Sequence, residues 1–477
     1  MSLLKKAGGV VSISIFVALV AYLHRSYNDK ILNDRLDSVL RGLLRAEKKV
    51  SFETRTRVAV GFGACVDGFV NATDIFHNLG FIPPDIPEHY SVIRDQDELG
   101  KVFSYFFRHG AAGERYIENR TLFESIVNEA RRHSFTRWAV GGNAPVMAQR
   151  FAKEGCEVML GAKVSPHLAG LFESNIKIAG GTIDNEDIHI ALEYATGTSW
   201  GNFKSPRANR FCIHSDQFNP YIDSLELFSQ AAASFSPQLL VVGGLQMMDS
   251  FPFKPGVRKE RLQKLGEVLA TTSKNTMIHF EMASFSEEAL LQDLVEHVIP
   301  YSDSLGMNEQ ELPNLYSALM NGTATLISDA YPRIAHVLDQ MRAVYKILSQ
   351  TSEKNNRRKL TRLHVHTLAY QAIITTSGSP WKNTMSAAAK ASLTANRHVC
   401  GSNFIHLEKA RLIIDESFAA SQAHGSRRIS FENNRPVSCW KEGNYEFCVA
   451  PVLVCTQVFQ TAGGGDNVSS AGLAVQI

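Results

Sequence analysis

Short apolar runs alternate with longer amphipathic stretches from residue 57 onward, and no other feature of this chain narrows its possible folds as far. The runs at 57–61, 138–140, 157–160, 239–243, 277–281, 304–307 and 362–366 have strand length. Helical periodicity fills the intervals, most clearly at 259–273 and 330–350. Strand–helix alternation predicts an α/β fold, with a mostly parallel sheet covered by helices on both faces. Ligands of such sheets sit beyond the carboxyl ends of the strands. Polar residues at or just after strand ends are therefore the candidate site residues.

The chain has 477 residues, enough for two or three domains or for one large domain carrying an inserted lobe. A net charge of +2 marks no nucleic-acid binder, and no partner of that kind is expected. The N-terminus stands apart. Lys5 and Lys6 precede an almost uncharged apolar run at 7–23, followed by His24 and Arg25. Its length is at the lower edge of a membrane span. Residues 1–25 read as an uncleaved signal-anchor or a cleaved signal, leading into the secretory pathway at the endoplasmic reticulum membrane or lumen. Residues 26–50 read as a charge-rich linker helix. Of seven cysteines, Cys400, Cys439, Cys448 and Cys455 crowd late in the chain, where one or two disulfides are expected in an oxidising compartment. Cys65, Cys156 and Cys212 read as small buried hydrophobes. Asn71, Asn119, Asn321 and Asn467 each begin a glycosylation sequon.

The polar motifs fall where the strands end. Gly463, Gly464 and Gly465 run into Asp466 ahead of a small-residue helix. Successive N–H groups there converge on one point, and the helix dipole adds positive potential, which suits a phosphate. A carboxylate at its rim can take a proton from an attacking hydroxyl. Asp67 ends the stretch VGFGACVD and can accept two sugar hydroxyls, or simply cap a loop. Gly141 and Gly142 let backbone amides touch a ligand before a helix starts near Pro145. His279 and Glu281 alternate on one strand and share a face. Asn308 and Glu311 read as a capping box, or with Glu281 as oxygen groups beside a hydrated magnesium ion. Arg207 or Arg210, in SPRANRF, can cross to a phosphate. His364 and His366 alternate on a strand as structural histidines or as site residues.

In this order, the blocks VGFGACVD, HGAAGER, WAVGGNAP, DIHIALEY, SPRANRF, VVGGLQMMDS, IHFEMAS, LGMNEQEL, RLHVHTLAY, PVLVC and TAGGGD resemble the ADP-dependent glucokinases of animal type, within the ribokinase-like superfamily. The resemblance spans about 58 to the C-terminus. It implies a kinase domain over 51–477, with a three-layer α/β/α large domain and a smaller β-containing lid from roughly 68–137 and 184–230. It implies transfer of the β-phosphoryl group of ADP to glucose, yielding glucose 6-phosphate and AMP; the chain is expected to act as a monomer, which no sequence feature decides. Asp67, Glu114, Gly141, Gly142 and His189 would bind the sugar. Asp466 would be the base, with the amides of Gly463, Gly464 and Gly465 as the anion hole and Arg210 on the phosphates. Asn308 and His366 would serve the nucleotide. Glu281, Glu311 and Asp466 would hold one Mg2+. Two departures from the family pattern stand out: Gly63 replaces the usual asparagine, and the chain ends at Ile477, shortly after the helix that follows Asp466 begins. Other readings are an ADP-dependent phosphofructokinase, an ATP-dependent sugar kinase, or a catalytically idle sensor.

Overall fold

The computed structural model describes residues 2–49, 56–173, 175–285, 287–323, 329, 332–350 and 353–477, with the side chains of 2–18 left out. Ten strands form the larger sheet. Its order is Ser438–Glu442, Tyr445–Pro451, Tyr370–Thr376, Arg362–His366, Ser304–Asn308, Met277–Glu281, Leu239–Val242, Arg57–Gly61, Glu157–Gly161 and Ile176–Ile178. The seven strands from Arg362–His366 to Ile176–Ile178 are mutually parallel; the three at the other edge are antiparallel. The chain starts at Arg57–Gly61 in the interior, builds outward one way through Glu157–Gly161, then returns to build the other way from Leu239–Val242. This reversal opens a crevice at the carboxyl ends of the central strands.

Side-chain alternation explains the layers. Val58 and Val60 face one cluster with Met147, Phe151 and Leu473, whereas Ala59 faces the other with Phe228, Leu262 and Leu265. Both faces of the sheet are thus buried under helices, as a parallel sheet requires. The expected α/β/α layering is what the structure has.

A six-stranded second sheet forms the smaller lobe, in the order Val92–Ile93, Gly113–Ile117, Asn209–His214, Asp187–Tyr194, Cys65–Asn71 and Arg137–Gly141. The run at 138–140 was expected to join the main sheet. It instead closes the edge of this second sheet, antiparallel to Cys65–Asn71. One face, through Val70, Ile190, Leu192, Phe211 and Ile213, packs on Phe103, Phe107, Phe123 and Ile126 of two helices. The other face carries the polar residues.

A single helix, Ser2–Glu47, runs through both the apolar segment and the expected linker. Leu36, Val39 and Leu43 bury against the helix Thr384–Val399, and Glu47 accepts hydrogen bonds from Arg397. Among the described residues no helix is long and apolar enough to cross a membrane; most side chains of the run 7–23 lie outside them. Two disulfides, Cys400–Cys455 and Cys439–Cys448, use the four late cysteines, while Cys65, Cys156 and Cys212 are free. The helix expected at 330–350 spans Ile334–Ser349; residues 330 and 331 lie outside the described set.

Candidate active site

The polar face of the small sheet follows from register. Asp67 lies opposite His189, and His189 opposite His214, on three adjacent strands. Glu114 projects from the same face two residues before Tyr116, the partner of His214. His189 Nδ1 lies 3.5 Å from Glu114 Oε1, and its Nε2 makes a 2.8 Å hydrogen bond to Asp216 Oδ1. Burial pushes the Asp67 carboxyl above its ordinary range. Burial also works against a charged His189, yet the hydrogen bond and charge of Asp216 overcome it and raise that imidazole to about 10.

Across the cleft stand the ends of the parallel strands. Glu281 is 3 % exposed and has both oxygens hydrogen-bonded. His279 Nε2 and Ser469 Oγ reach Oε2 at 2.8 and 2.5 Å, and His366 Nε2 reaches Oε1 at 3.2 Å. Burial alone would favour its neutral form, but these two imidazoles hold Glu281 well below the usual carboxylate range. Asn308 and Glu311 form a reciprocal cap. Asn308 Oδ1 accepts from the Glu311 amide at 2.9 Å, while Glu311 accepts from the Asn308 amide and Nδ2. Burial pushes Glu311 up to about 8.

The helix Gly464–Gln476 begins at the cleft, with Gly463 at its N-cap and φ of 67°. That left-handed geometry turns the chain sharply into the helix and suits glycine. A Cβ on Gly465 would lie 2.8 Å from His366 Cε1, so the backbone there runs against the imidazole that serves Glu281. Asp466 sits in the first turn, and Asn143 Nδ2 donates to its Oδ1 at 2.8 Å. Burial, reinforced by the nearby charge of Glu281, pushes Asp466 up to about 7. Asn143 itself is held by Gln246. Asn467 uses its Nδ2 to bond the Gly463 carbonyl at 2.9 Å, so this sequon asparagine is part of the turn.

These groups share one cleft of about 500 Å3. Asp67, Glu114, Gly142, His189, Arg210, Glu281, Asn308, Glu311, His366, Gly463, Gly464, Gly465 and Asp466 all line it. Gly141 does not. It packs behind Asp67, where a Cβ would fall 2.0 Å from the carboxylate oxygen, so it gives that carboxylate room. Arg210 Nη1 lies 3.4 Å from Asn209 Oδ1, and its buried Nε has no hydrogen-bond partner among the described residues. Asn143, Gln246 and Asp216 were missed by the sequence reading. Asn143 was legible within WAVGGNAP, where only the glycines drew attention; the Asp216 contact to His189 has no local signal.

A helix-borne carboxylate behind a glycine turn, beyond the carboxyl ends of the parallel strands of a three-layer sheet and facing the polar face of the smaller sheet, defines a phosphotransferase of the ribokinase-like kind. The model of the ADP-specific Phosphofructokinase/Glucokinase conserved region matches residues 56–475, and the chain belongs to that kinase family. A Bos taurus protein named ADP-dependent glucokinase is 31% identical over 422 residues, covering 87% of this chain and 84% of that protein. A probable ADP-dependent glucokinase of Caenorhabditis elegans is 27% identical over 97% of this chain and 94% of its own. A solved ADP-dependent kinase complex with fructose-6-phosphate and ADPβS aligns at a TM-score of 0.63 and 16% identity, over 93% of this chain and 97% of its own.

Proposed function

We propose that this chain transfers the β-phosphoryl group of ADP to the 6-hydroxyl of D-glucose, releasing glucose 6-phosphate and AMP. One observation carries the reading: Asp466, at the mouth of a glycine-lined helix N-terminus, opens into the same cleft as Asp67, Glu114 and His189. The Bos taurus and C. elegans relatives named as glucokinases support the sugar.

Asp67, Glu114 and His189 orient the sugar by its hydroxyls. The Asp466 carboxylate accepts the 6-hydroxyl proton as that oxygen bonds to the β-phosphorus and the bond to the α-phosphate oxygen breaks. Amides of Gly463, Gly464 and Gly465 stabilise charge on the transferred group, and Arg210 meets the phosphates. Asn308 and His366 border the nucleotide half of the cleft. Closure of the small lobe excludes water, which would otherwise compete for the phosphoryl group. Glu114 places a carboxylate where a second sugar phosphate would lie, which favours glucose over a phosphorylated hexose.

The donor set fits one hydrated Mg2+. Glu281 and Glu311 are already hydrogen-bonded at both oxygens, and neither belongs, with Asp466, to a cluster close enough for direct chelation among the described residues. Remaining lone pairs on Glu281, Glu311 and Asp466 would hold the ion through its waters. When bound, Mg2+ neutralises phosphate charge. We propose that the apolar run at 7–23 directs the chain to the endoplasmic reticulum membrane or lumen, as an uncleaved signal-anchor or a cleaved signal; its length, its lack of charge and exposed Leu19, Tyr22 and Leu23 support that reading. Carbonate-resistant sedimentation with membranes is expected, and full release into the supernatant would exclude an anchor.

The test of the reaction compares ADP and ATP as donors with glucose and magnesium. Glucose 6-phosphate with equimolar AMP is expected from ADP. Turnover with ATP alone, or with fructose 6-phosphate in place of glucose, would overturn the assignment.

A further inference from the structure

Asp216 does not line the cleft, yet the structure around it is built to hold it in place. Its side chain is fully buried at 0 % exposure. Asn219 Nδ2 donates to its Oδ2 at 2.7 Å. Asn219 also bonds both the amide and the carbonyl of Ala64, in the segment entering the Asp67 strand. The turn carrying Asp216 is pinned in addition by Asp187, whose carboxylate accepts the amides of Gln217, Phe218 and Asn219 at 2.9–3.3 Å. The other carboxylate oxygen, Oδ1, faces His189 Nε2 at 2.8 Å and His214 Nδ1 at 3.3 Å.

His189 therefore has a carboxylate at each ring nitrogen: Asp216 at Nε2, and Glu114 at 3.5 Å from Nδ1. A neutral imidazole donates from only one nitrogen and would turn a lone pair on one of these carboxylates; an imidazolium donates to both. Asp67, opposite His189 in register, adds a third negative group. Three carboxylates around one small site repel each other unless a cation stands among them. We propose that Asp216 is a positioning residue that holds His189 as an imidazolium, so that a cationic His189 keeps the Asp67 and Glu114 carboxylates poised for sugar hydroxyls. The proposal rests on reading this half of the cleft as the sugar site. The groups facing His189 are Asp67, Glu114, Asp216, His214 and the Cys65 thiol.

The experiment uses the full chain labelled with 15N-histidine, its His189 resonances identified by their loss in His189→Gln. In the wild type the imidazole is expected to stay protonated through pH 8; titration in the neutral range would overturn the proposal. In Asp216→Asn the imidazole is expected to titrate near or below the ordinary value of about 6.5. The glucose KM of that variant should rise by about tenfold or more, with kcat within about twofold. This loss should shrink as pH falls from 8 to 6 and His189 regains its proton. It should also vanish when Asp216→Asn is introduced into the His189→Gln background. A loss that is independent of pH, or equally large in that background, would make Asp216 merely structural and sink the proposal. Should Asp216→Asn fail to fold, the wild-type titration decides alone. Absence of glucose turnover by the wild type would refute the glucokinase assignment, and the titration would still decide the role of Asp216.

Discussion

Asp466 takes its chemistry from its neighbours. Burial and the charge of Glu281 raise its carboxyl to about 7, and the Asn143 hydrogen bond opposes that rise. A base must be ionised, so kcat/KM is expected to climb with pH through about 7 and then level off. Asn143→Ala removes a donor to the ionised form. The ascending limb should move up by roughly one pH unit, the size of one charge-assisted hydrogen bond; an unmoved limb would detach Asn143 from the base. Asp466→Asn keeps the shape and removes the base. Turnover should fall by about 10²–10⁴-fold while thermal stability holds or rises, because an unfavourable buried charge is gone. Asp466 was legible because its glycines and helix are contiguous in sequence. Asp216 was not, because a carboxylate 27 residues from its histidine partner has no signature short of the folded register.

At the scale of elements, the glycine turn is a contact as much as a hinge. Gly465→Ala would press a methyl group against the His366 ring, 2.8 Å from Cε1. The ring must shift, weakening its 3.2 Å bond to Glu281, and kcat should fall by at least about tenfold with a loss of roughly 1–3 kcal/mol in stability. Wild-type kinetics in this variant would show that the His366–Glu281 contact is dispensable. The Cys400–Cys455 disulfide joins the end of the helix Thr384–Val399 to a residue lining the cleft. Its sequence separation of 55 makes its removal worth about 4 kcal/mol on the chain-entropy estimate. A Cys400→Ser/Cys455→Ser chain should melt markedly lower. Its KM for ADP should rise more than its KM for glucose, since the linked segment leads into Gly463. Strand existence was readable from apolar runs, but sheet membership was not. The run at 138–140 has the same local pattern as its fellows, and only its pairing with Cys65–Asn71 places it in the small lobe.

At the scale of the whole molecule, the N-terminal helix belongs partly to the kinase body. From sequence alone 26–50 is a linker, because it is rich in charge and no partner surface is visible locally. The fold supplies that surface. Leu36, Val39 and Leu43 are 3 %, 3 % and 0 % exposed against the helix Thr384–Val399. A Cβ on Gly42 would fall 2.3 Å from Pro436 Cδ, so the helix lies in close contact with that loop. Arg45 donates to the Asn434 carbonyl at 2.7 Å, and Glu47 bridges Arg397 and Lys390. The same helix Thr384–Val399 packs on Gly464–Gln476, the helix that starts at the anion hole and carries Asp466. Two truncations separate the roles. A chain beginning at Asp34 keeps every one of these contacts and should retain wild-type kcat and melting temperature. A chain beginning at Lys48 uncovers the apolar face of Thr384–Val399 and leaves Arg397 without its carboxylate. Three buried aliphatic side chains at about 1.5–3 kcal/mol each put the loss near 5 kcal/mol or above, a large share of what holds a domain folded. That shorter chain should aggregate or melt far lower, and its catalytic helix should lose support. Equal stability of the two truncations would return residues 34–47 to the status of a linker.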